Sequence, residues 1–234
     1  MKTKTYFSKT EIILWSVSVF FITAFFMIFD RTNYLTFIAS LIGVSSLIFN
    51  AKGNPIGQVL MILFSLLYGI ISYTFLYYGE MITYLGMTMP MSIFALISWL
   101  KNPYNGNKAE VKVNSIGKIE NVCMWIGTLV VTFIFYFILE HFNTANVIPS
   151  TISVTTSYLA AYLSFRRSPY FALAYAANDI VLIVLWVLAS IFDTRYISVE
   201  VCFMAFFVND IYGFISWKKM KIRQQEMASA ASRM

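Results

Sequence analysis

Long uninterrupted apolar stretches dominate this sequence of 234 residues, of which 59% are hydrophobic and only 12% are charged. Each stretch has about 20 residues, the length that an α-helix needs to cross the ~30 Å hydrocarbon layer of a membrane. A transmembrane barrel would instead show shorter segments of alternating polarity. A soluble domain of this composition could not cover its apolar surface. The chain is therefore predicted to be an all-α membrane protein.

Eight transmembrane helices are predicted from these stretches. They cover residues 12–29, 34–49, 56–78, 81–100, 122–139, 145–165, 169–192 and 197–217. The first stretch follows Lys2, Lys4 and Lys9 and so resembles a signal peptide. No small-residue cleavage pattern comes after it, so we interpret it as a helix of the mature protein.

Positive charges alternate with the predicted helices. Lys and Arg near helix ends resist translocation and mark the cytoplasmic side of a membrane. With the N-terminus inside, only Arg31 and Arg195 of the 17 Lys and Arg residues fall outside. The sequence thus predicts a multi-pass protein of a bacterial plasma (inner) membrane with both termini in the cytoplasm. The net charge of +6 follows from this topology and does not indicate nucleic-acid binding, because the basic residues are dispersed.

Matching segments indicate a duplicated four-helix unit. The matches pair residues 11–15 with 120–125, Asn54-Pro55 with Ser168-Pro169, and 94–99 with 213–217. An even number of helices gives both units the same orientation, and a solute path would lie between them. The expected division is a first repeat at 1–100, a cytoplasmic linker at 101–118 without a fold of its own, a second repeat at 119–220 and a cytoplasmic tail at 221–234.

Two acidic residues, Asp179 and Asp210, are the only ionisable side chains placed deep inside the predicted helices. A charge in hydrocarbon is costly unless it faces a cavity or a partner, so both are candidates for a binding site. Each follows an asparagine, Asn178 or Asn209. Because a carboxylate and an amide together can bind hydroxyls or ring nitrogens, these four residues are the leading candidates for substrate binding.

Aromatic residues accompany the acidic residue of the seventh helix. Tyr175, Asp179 and Trp186 share one helical face, and rings beside a carboxylate favour a planar, cationic heterocycle. Neighbouring residues on a helix point about 100° apart, so we expect Asn178 or Asp179, and not both, to contact the solute directly.

The eighth helix places Asn209, Tyr212 and Gly213 on one face, where glycine allows another helix to approach closely. Gln58 and Tyr68 of the third helix occupy the corresponding region of the first repeat and are weaker candidates. The alternative for all these polar side chains is a structural role, in which they hydrogen-bond between helices and hold the bundle together.

Tryptophans near the ends of predicted helices are interpreted as residues of the membrane interface. They are Trp15, Trp99, Trp125 and Trp217. The sequence contains no P-loop, HExxH, GxSxG or cysteine cluster, so no enzymatic activity, cofactor or metal site is expected.

Three segments are similar to those of one known family. They are Tyr77-Tyr-Gly-Glu80, Ser98-Trp99 and Phe207-Val-Asn-Asp-Ile-Tyr-Gly213. Together with Trp217, the last segment matches an Asn-x-x-Tyr-Gly-x-x-x-Trp pattern. On these residues the chain resembles the PnuC family of bacterial vitamin transporters from about residue 12 to residue 220.

This resemblance implies a fold related to the SWEET sugar transporters, with two three-helix bundles, a connecting helix and an extra N-terminal helix. It also implies facilitated diffusion of nicotinamide riboside, thiamine, riboflavin or deoxynucleosides, a homo-oligomer, and a cytoplasmic kinase that traps the solute. Nicotinamide riboside members resemble one another in a Trp-x-x-Trp-x-x-x-Asn/Asp pattern. Here Ala172 and Tyr175 stand at the tryptophan positions and Asp179 at the last.

The expected function is passive transport of a vitamin-type solute, with nicotinamide riboside first. In this hypothesis Asn178, Asp179 and Asn209 hydrogen-bond the solute, and aromatic side chains contact its ring. Those aromatic residues are Tyr175, Trp186 and Tyr212. Two alternatives of another class remain: a carrier in which Asp179 or Asp210 binds a proton together with the solute, and a membrane sensor that transports nothing.

Overall fold

The computed structural model describes residues 6–74, 77–144 and 146–232, and its helices lie where the apolar stretches predicted them. They are α1 (Lys9–Phe29), α2 (Tyr34–Ala51), α3 (Ile56–Thr74), α4 (Tyr78–Thr83), α5 (Met89–Lys101), α6 (Lys118–His141), α7 (Val147–Phe165), α8 (Tyr170–Ser190) and α9 (Ile197–Ala231). A π-helical turn, Tyr84–Thr88, joins α4 to α5 in one continuous span. The eight predicted transmembrane helices are thereby confirmed.

Within the described ranges, seven of these spans are long and apolar enough to cross a membrane. The other helix, α7, is rich in Ser and Thr. Some of its hydroxyls are satisfied inside the helix, since Thr151 donates to Val147 O at 2.7 Å and Thr155 donates to Thr151 O at 2.8 Å. Such bonds allow a polar helix to cross a membrane between α6 and α8, on which it packs.

Some expectations concern residues outside the described ranges. The predicted start of the sixth transmembrane helix at Ala145 is one of them. Residues 75 and 76 of the predicted third helix are outside as well, and so are three basic residues that entered the charge count, Lys2, Lys4 and Arg233.

The segment expected to be a linker without a fold forms a β-hairpin, so that expectation is wrong. Its antiparallel strands are β1 (Pro103–Tyr104) and β2 (Asn107–Val111). Asn105 and Gly106 between them have φ angles of 47° and 77°. Asn-Gly is the pair that adopts this left-handed two-residue turn most readily, because positive φ costs these residues least.

The last residue of β2 and the segment after it donate backbone hydrogen bonds to two equivalent turns of the helical bundle. Val111 N donates to Gly53 O at 2.9 Å, and Asn114 N donates to Arg167 O at 3.0 Å. Gly53 and Arg167 follow α2 and α7 and both have positive φ, 66° and 56°. The hairpin therefore connects the ends of α2 and α7 on one side of the bundle, which we call the hairpin side.

Two of the predicted interfacial tryptophans are instead completely buried, and their indole N–H groups donate hydrogen bonds to carbonyl groups at helix ends. Trp99 donates to Ser164 O at 2.9 Å, and Trp217 donates to Asn50 O at 2.7 Å. Both side chains have 0% exposure, and their ring centroids are 5.3 Å apart. The interfacial prediction is wrong for this pair.

The serine before each tryptophan repeats the arrangement. Ser98 Oγ donates to Phe165 O at 2.8 Å, and Ser216 Oγ donates to Ala51 O at 2.7 Å. Each Ser-Trp pair thus satisfies two carbonyl groups at the end of a helix distant in sequence.

Matching ion pairs lie beside these helix ends. Glu11 of α1 pairs with Lys52 at 3.2 Å, and Glu120 of α6 pairs with Arg166. Corresponding contacts at corresponding positions support the division into repeats at residues 1–100 and 119–220, which stays a proposal.

We expect Trp217→Phe to lower the thermal stability of the protein in detergent. The change removes one of the two donors to the buried Asn50 carbonyl, which keeps the N–H of Gly53, so the expected loss is that of one hydrogen bond, about 0.5–1.5 kcal/mol. Trp125→Phe is the matched control, because Trp125 is 49% exposed. An equal fall of the melting temperature in both variants would contradict this role of Trp217.

Candidate functional site

A small central cavity lies where α2, α3, α7, α8 and α9 meet the π-helical turn. The polar side chains in its wall are Tyr84, Thr88, Ser157, Tyr175, Asn178, Asp179 and Asp210. The apolar part consists of Leu47, Met61, Phe64, Phe203 and Phe206. Four of the nine predicted binding residues, all on α8 and α9, are thus together in one cavity.

The central cavity has a volume of about 20 Å³. This is room for about one water molecule, since a water needs at least ~10–15 Å³ of such volume. The structure therefore shows a conformation closed around the cavity, and a solute of the size of a nucleoside requires its walls to separate.

The two buried aspartates meet in this cavity from neighbouring helices. Asp179 on α8 and Asp210 on α9 are 3% and 5% exposed, and their carboxyl groups are within hydrogen-bonding reach of each other. Asp179 Oδ2 has no donor among the described residues. The pair is therefore a concentration of acceptor oxygens, without a neighbouring cation, at the centre of the molecule.

Asn178 lines the cavity but its carbonyl oxygen is already used for helix packing. Asn178 Oδ1 accepts hydrogen bonds from Ser153 at 3.2 Å, Thr156 at 2.9 Å and Ser157 at 3.0 Å, all on α7. The sequence left open whether Asn178 or Asp179 contacts a solute. The geometry leaves Asp179 as the residue with a free acceptor.

An aromatic layer closes the central cavity on the side away from the hairpin, which we call the opposite side. Tyr68 is its centre, with ring centroids 4.4 Å from Tyr84, 5.6 Å from Phe203 and 6.3 Å from Trp186. The Tyr68 hydroxyl has no hydrogen-bond partner in the described chain. Trp186 lies beyond this layer and lines a second, outer cavity instead of the central one.

Asn209 and Tyr212 point toward α1 and do not line the central cavity. Asn209 Nδ2 donates to Ser18 Oγ at 2.9 Å, and Tyr212 donates its hydroxyl to Glu11 Oε1 at 3.1 Å. Asn209 and Tyr212 of the expected face therefore pack on α1, whereas Gly213 lies against Ala172 of α8 and Ala51 of α2. Asp210 lines the cavity from the neighbouring side of α9.

Gln58 closes the hairpin side of the bundle. Its amide nitrogen donates to Asn50 Oδ1 at 3.0 Å and to Ser164 Oγ at 3.2 Å. These residues belong to the ends of α2 and α7, so Gln58 connects the two helix ends at a distance from the central cavity.

Sequence reasoning missed Tyr84, Thr88 and Ser157 of the central cavity and also missed Glu80. Glu80 was placed between two predicted helices, yet it lies inside α4 and is only 6% exposed. The statement that Asp179 and Asp210 are the only deep ionisable groups is therefore wrong. The sequence shows Glu80 beside an apolar run on either side, which was the available signal.

Asn178→Ala is expected to destabilise the protein strongly in the absence of solute, whereas Asp179→Asn leaves its stability nearly unchanged. The first change removes the acceptor of the buried Ser153 and Ser157 hydroxyls, at about 1–3 kcal/mol. The second removes only a carboxyl oxygen without a donor. Thermal unfolding in detergent measures both, and an equal destabilisation would contradict the assigned difference.

Comparison with known proteins agrees with this architecture. A family model described as "Nicotinamide mononucleotide transporter" matches residues 33–219. The nicotinamide riboside transporter PnuC of Neisseria mucosa is 25% identical over 212 residues, which cover 88% of this chain and 80% of the relative.

Among solved structures, the crystal structure of the vitamin B3 transporter PnuC superposes with a TM-score of 0.81 at 22% identity. The superposition covers 93% of this chain and 94% of the chain in that crystal structure, so the two proteins share a fold. The match of the family model over most of the chain decides the assignment. This chain belongs to the nicotinamide mononucleotide transporter family and is a multi-pass membrane transporter, not an enzyme.

Proposed function

We propose that this protein carries nicotinamide riboside across a bacterial plasma membrane by facilitated diffusion. The observation that carries the proposal is the buried carboxyl pair of Asp179 and Asp210 in the central cavity. The solute has a planar pyridinium ring with a positive charge. A buried cation needs an anionic partner to offset its lost hydration, and the pair supplies one.

The remaining wall of the cavity suits the other parts of such a solute. Tyr175 offers an aromatic ring beside the carboxyl groups, as a cationic ring requires. Ala172, at a position where nicotinamide riboside members resemble one another in having tryptophan, is 0% exposed and packs toward Gly213. Tyr175 is thus the aromatic contact that α8 provides beside the carboxyl groups, and we expect the amide nitrogen of Asn178 to donate to the ribosyl hydroxyls.

Transport requires the central cavity to open on one side at a time. Gln58 and the Ser-Trp pairs close the hairpin side, and the aromatic layer around Tyr68 closes the opposite side. Rocking of the two repeats would separate one closure while the other persists. We propose that the hairpin side faces the cytoplasm, because it carries most of the Lys and Arg residues of the described chain, and that both termini lie there.

Ligand-induced stabilisation tests the solute. Nicotinamide riboside and thiamine, both cationic, should raise the melting temperature of the purified protein more than riboflavin or deoxynucleosides, since a ligand stabilises the folded state that it binds. Asp179→Asn should weaken the effect of nicotinamide riboside by about tenfold in concentration, which is ~1.4 kcal/mol of binding energy. Glu226→Gln, an exposed position on α9, is the control.

Radiolabelled uptake into proteoliposomes completes this test. The wild type should accumulate nicotinamide riboside only to the external concentration. Stabilisation and uptake restricted to uncharged deoxynucleosides would refute the proposed solute.

Proton-coupled transport is the second candidate, and it is favoured by the position of Asp179 and Asp210, two buried carboxyl groups in the wall of one cavity where a proton could travel with the solute. Uptake in the presence of a protonophore separates the two mechanisms. Facilitated diffusion predicts that the rate of solute uptake is unchanged when the proton gradient is collapsed. Proton coupling predicts that the solute then no longer accumulates above its external concentration.

A further inference from the structure

A third buried carboxyl group lies at the opposite side of the bundle, beyond the aromatic layer. Glu80 lines an outer cavity together with Tyr77, Thr144 and Trp186. It is 6% exposed, and its Oε2 atom has no hydrogen-bond partner in the described chain. A carboxyl group without a partner is costly to bury, so a transient partner is to be expected at this position.

Aromatic rings surround this carboxyl group. The ring centroids of Tyr77 and Trp186 are 5.4 Å apart, those of Trp186 and Tyr196 are also 5.4 Å apart, and those of Tyr77 and Tyr196 are 6.1 Å apart. Tyr77 and Glu80 are three residues apart at the start of α4, a spacing that puts them on one face. A carboxylate beside a cluster of rings is the combination that binds organic cations.

Close backbone packing fixes the position of Glu80. A Cβ atom on the preceding Gly79 would lie 2.6 Å from Leu139 and 2.7 Å from Thr144, so glycine is needed for α4 to approach the end of α6. The carboxyl group therefore sits on backbone held against α6.

We propose that Glu80, Tyr77 and Trp186 form an outer binding site for the cationic ring of the transported solute, occupied before the solute reaches Asp179. This inference rests on the proposed function. Trp186 connects the two places, because its ring also contacts Tyr68 of the aromatic layer at 6.3 Å. The outer cavity has a volume of only about 20 Å³, so the rings separate when a solute binds.

The chemistry of the lining selects an organic cation over other occupants. Glu80 is the one charged residue in the described wall, whereas a hard metal ion would need several oxygen ligands. Arg195 does not neutralise it, because its guanidinium pairs with Asp193 at 2.6 Å. A neutral solute would leave the carboxylate unpaired.

Paired uptake assays with a charged and an uncharged form of one solute test this site. The probes are nicotinamide riboside and its 1,4-dihydro form, which has the same substituents but no ring charge. In proteoliposomes, Glu80→Gln should lower the uptake of the cation at subsaturating concentration by about tenfold, the loss of a charge-assisted contact. Uptake of the dihydro form should change little, and Glu80→Asp should restore part of the uptake of the cation.

Glu140→Gln is the matched control, because Glu140 is an exposed carboxyl residue at the end of α6 on which Gly79 packs. An equal loss for both probes in Glu80→Gln would mean that the residue only supports the structure, and no loss for either would mean that the solute bypasses it. Both results overturn the outer site while the proposed function stands. A wild-type protein that transports neither probe would overturn the proposed function and this inference with it.

Discussion

A helix that ends within a packed membrane protein leaves its last carbonyl groups without partners from its own turns. At the ends of α2 and α7 the following turns supply some of those partners, and the indoles of Trp217 and Trp99 supply a second donor to the carbonyls of Asn50 and Ser164. Because each indole comes from a helix far away in sequence, the same bonds that complete one helix also fix another against it. The position of α9 beside α2, and of α5 beside α7, follows from this requirement, and so does the position of Asp210 next to Asp179.

Buried polar side chains of the bundle differ in whether each of their polar atoms has a partner among the described residues. Asn178, Gln58 and the threonines of α7 have their partners within the protein. Asp179, Glu80 and Tyr68 each have an atom without one. Asp179 lines the central cavity, Glu80 lines the outer cavity, and Tyr68 lies in the aromatic layer against Trp186, where a solute would meet them.

The fold could be predicted largely from the sequence, because each membrane helix needs its own apolar run whatever its neighbours are. Which side chains are buried within the bundle could not be predicted. Trp99 and Trp125 look alike as residues near helix ends, but one has 0% exposure and the other 49%. Only the tertiary partner, a carbonyl group at the end of α7, separates them.

The candidate site could be predicted only in part, again because the sequence does not show tertiary contacts. The rarity of carboxyl groups in apolar runs identified Asp179 and Asp210, since this signal is local. Which side of α9 packs on α1 depends on tertiary contacts that the sequence of α9 alone does not show. Asn209 and Tyr212 lie on that side and therefore point away from the cavity. Glu80 was missed because the predicted break between the third and fourth helices lay at residues 79 and 80, whereas α4 already begins at Tyr78.

That π-helical turn also sets the geometry of the lining. Glu80 and Thr88 are eight residues apart, which on a regular α-helix would leave them about 80° out of line. Tyr84–Thr88 absorbs one extra residue, so the separation behaves as roughly seven residues, or two turns. The outer and central cavities are therefore stacked along a single helical face, on the order of 10 Å apart. This is a step comparable with the length of a ring joined to a ribose, so one face of one helix can accompany such a molecule from the first cavity to the second.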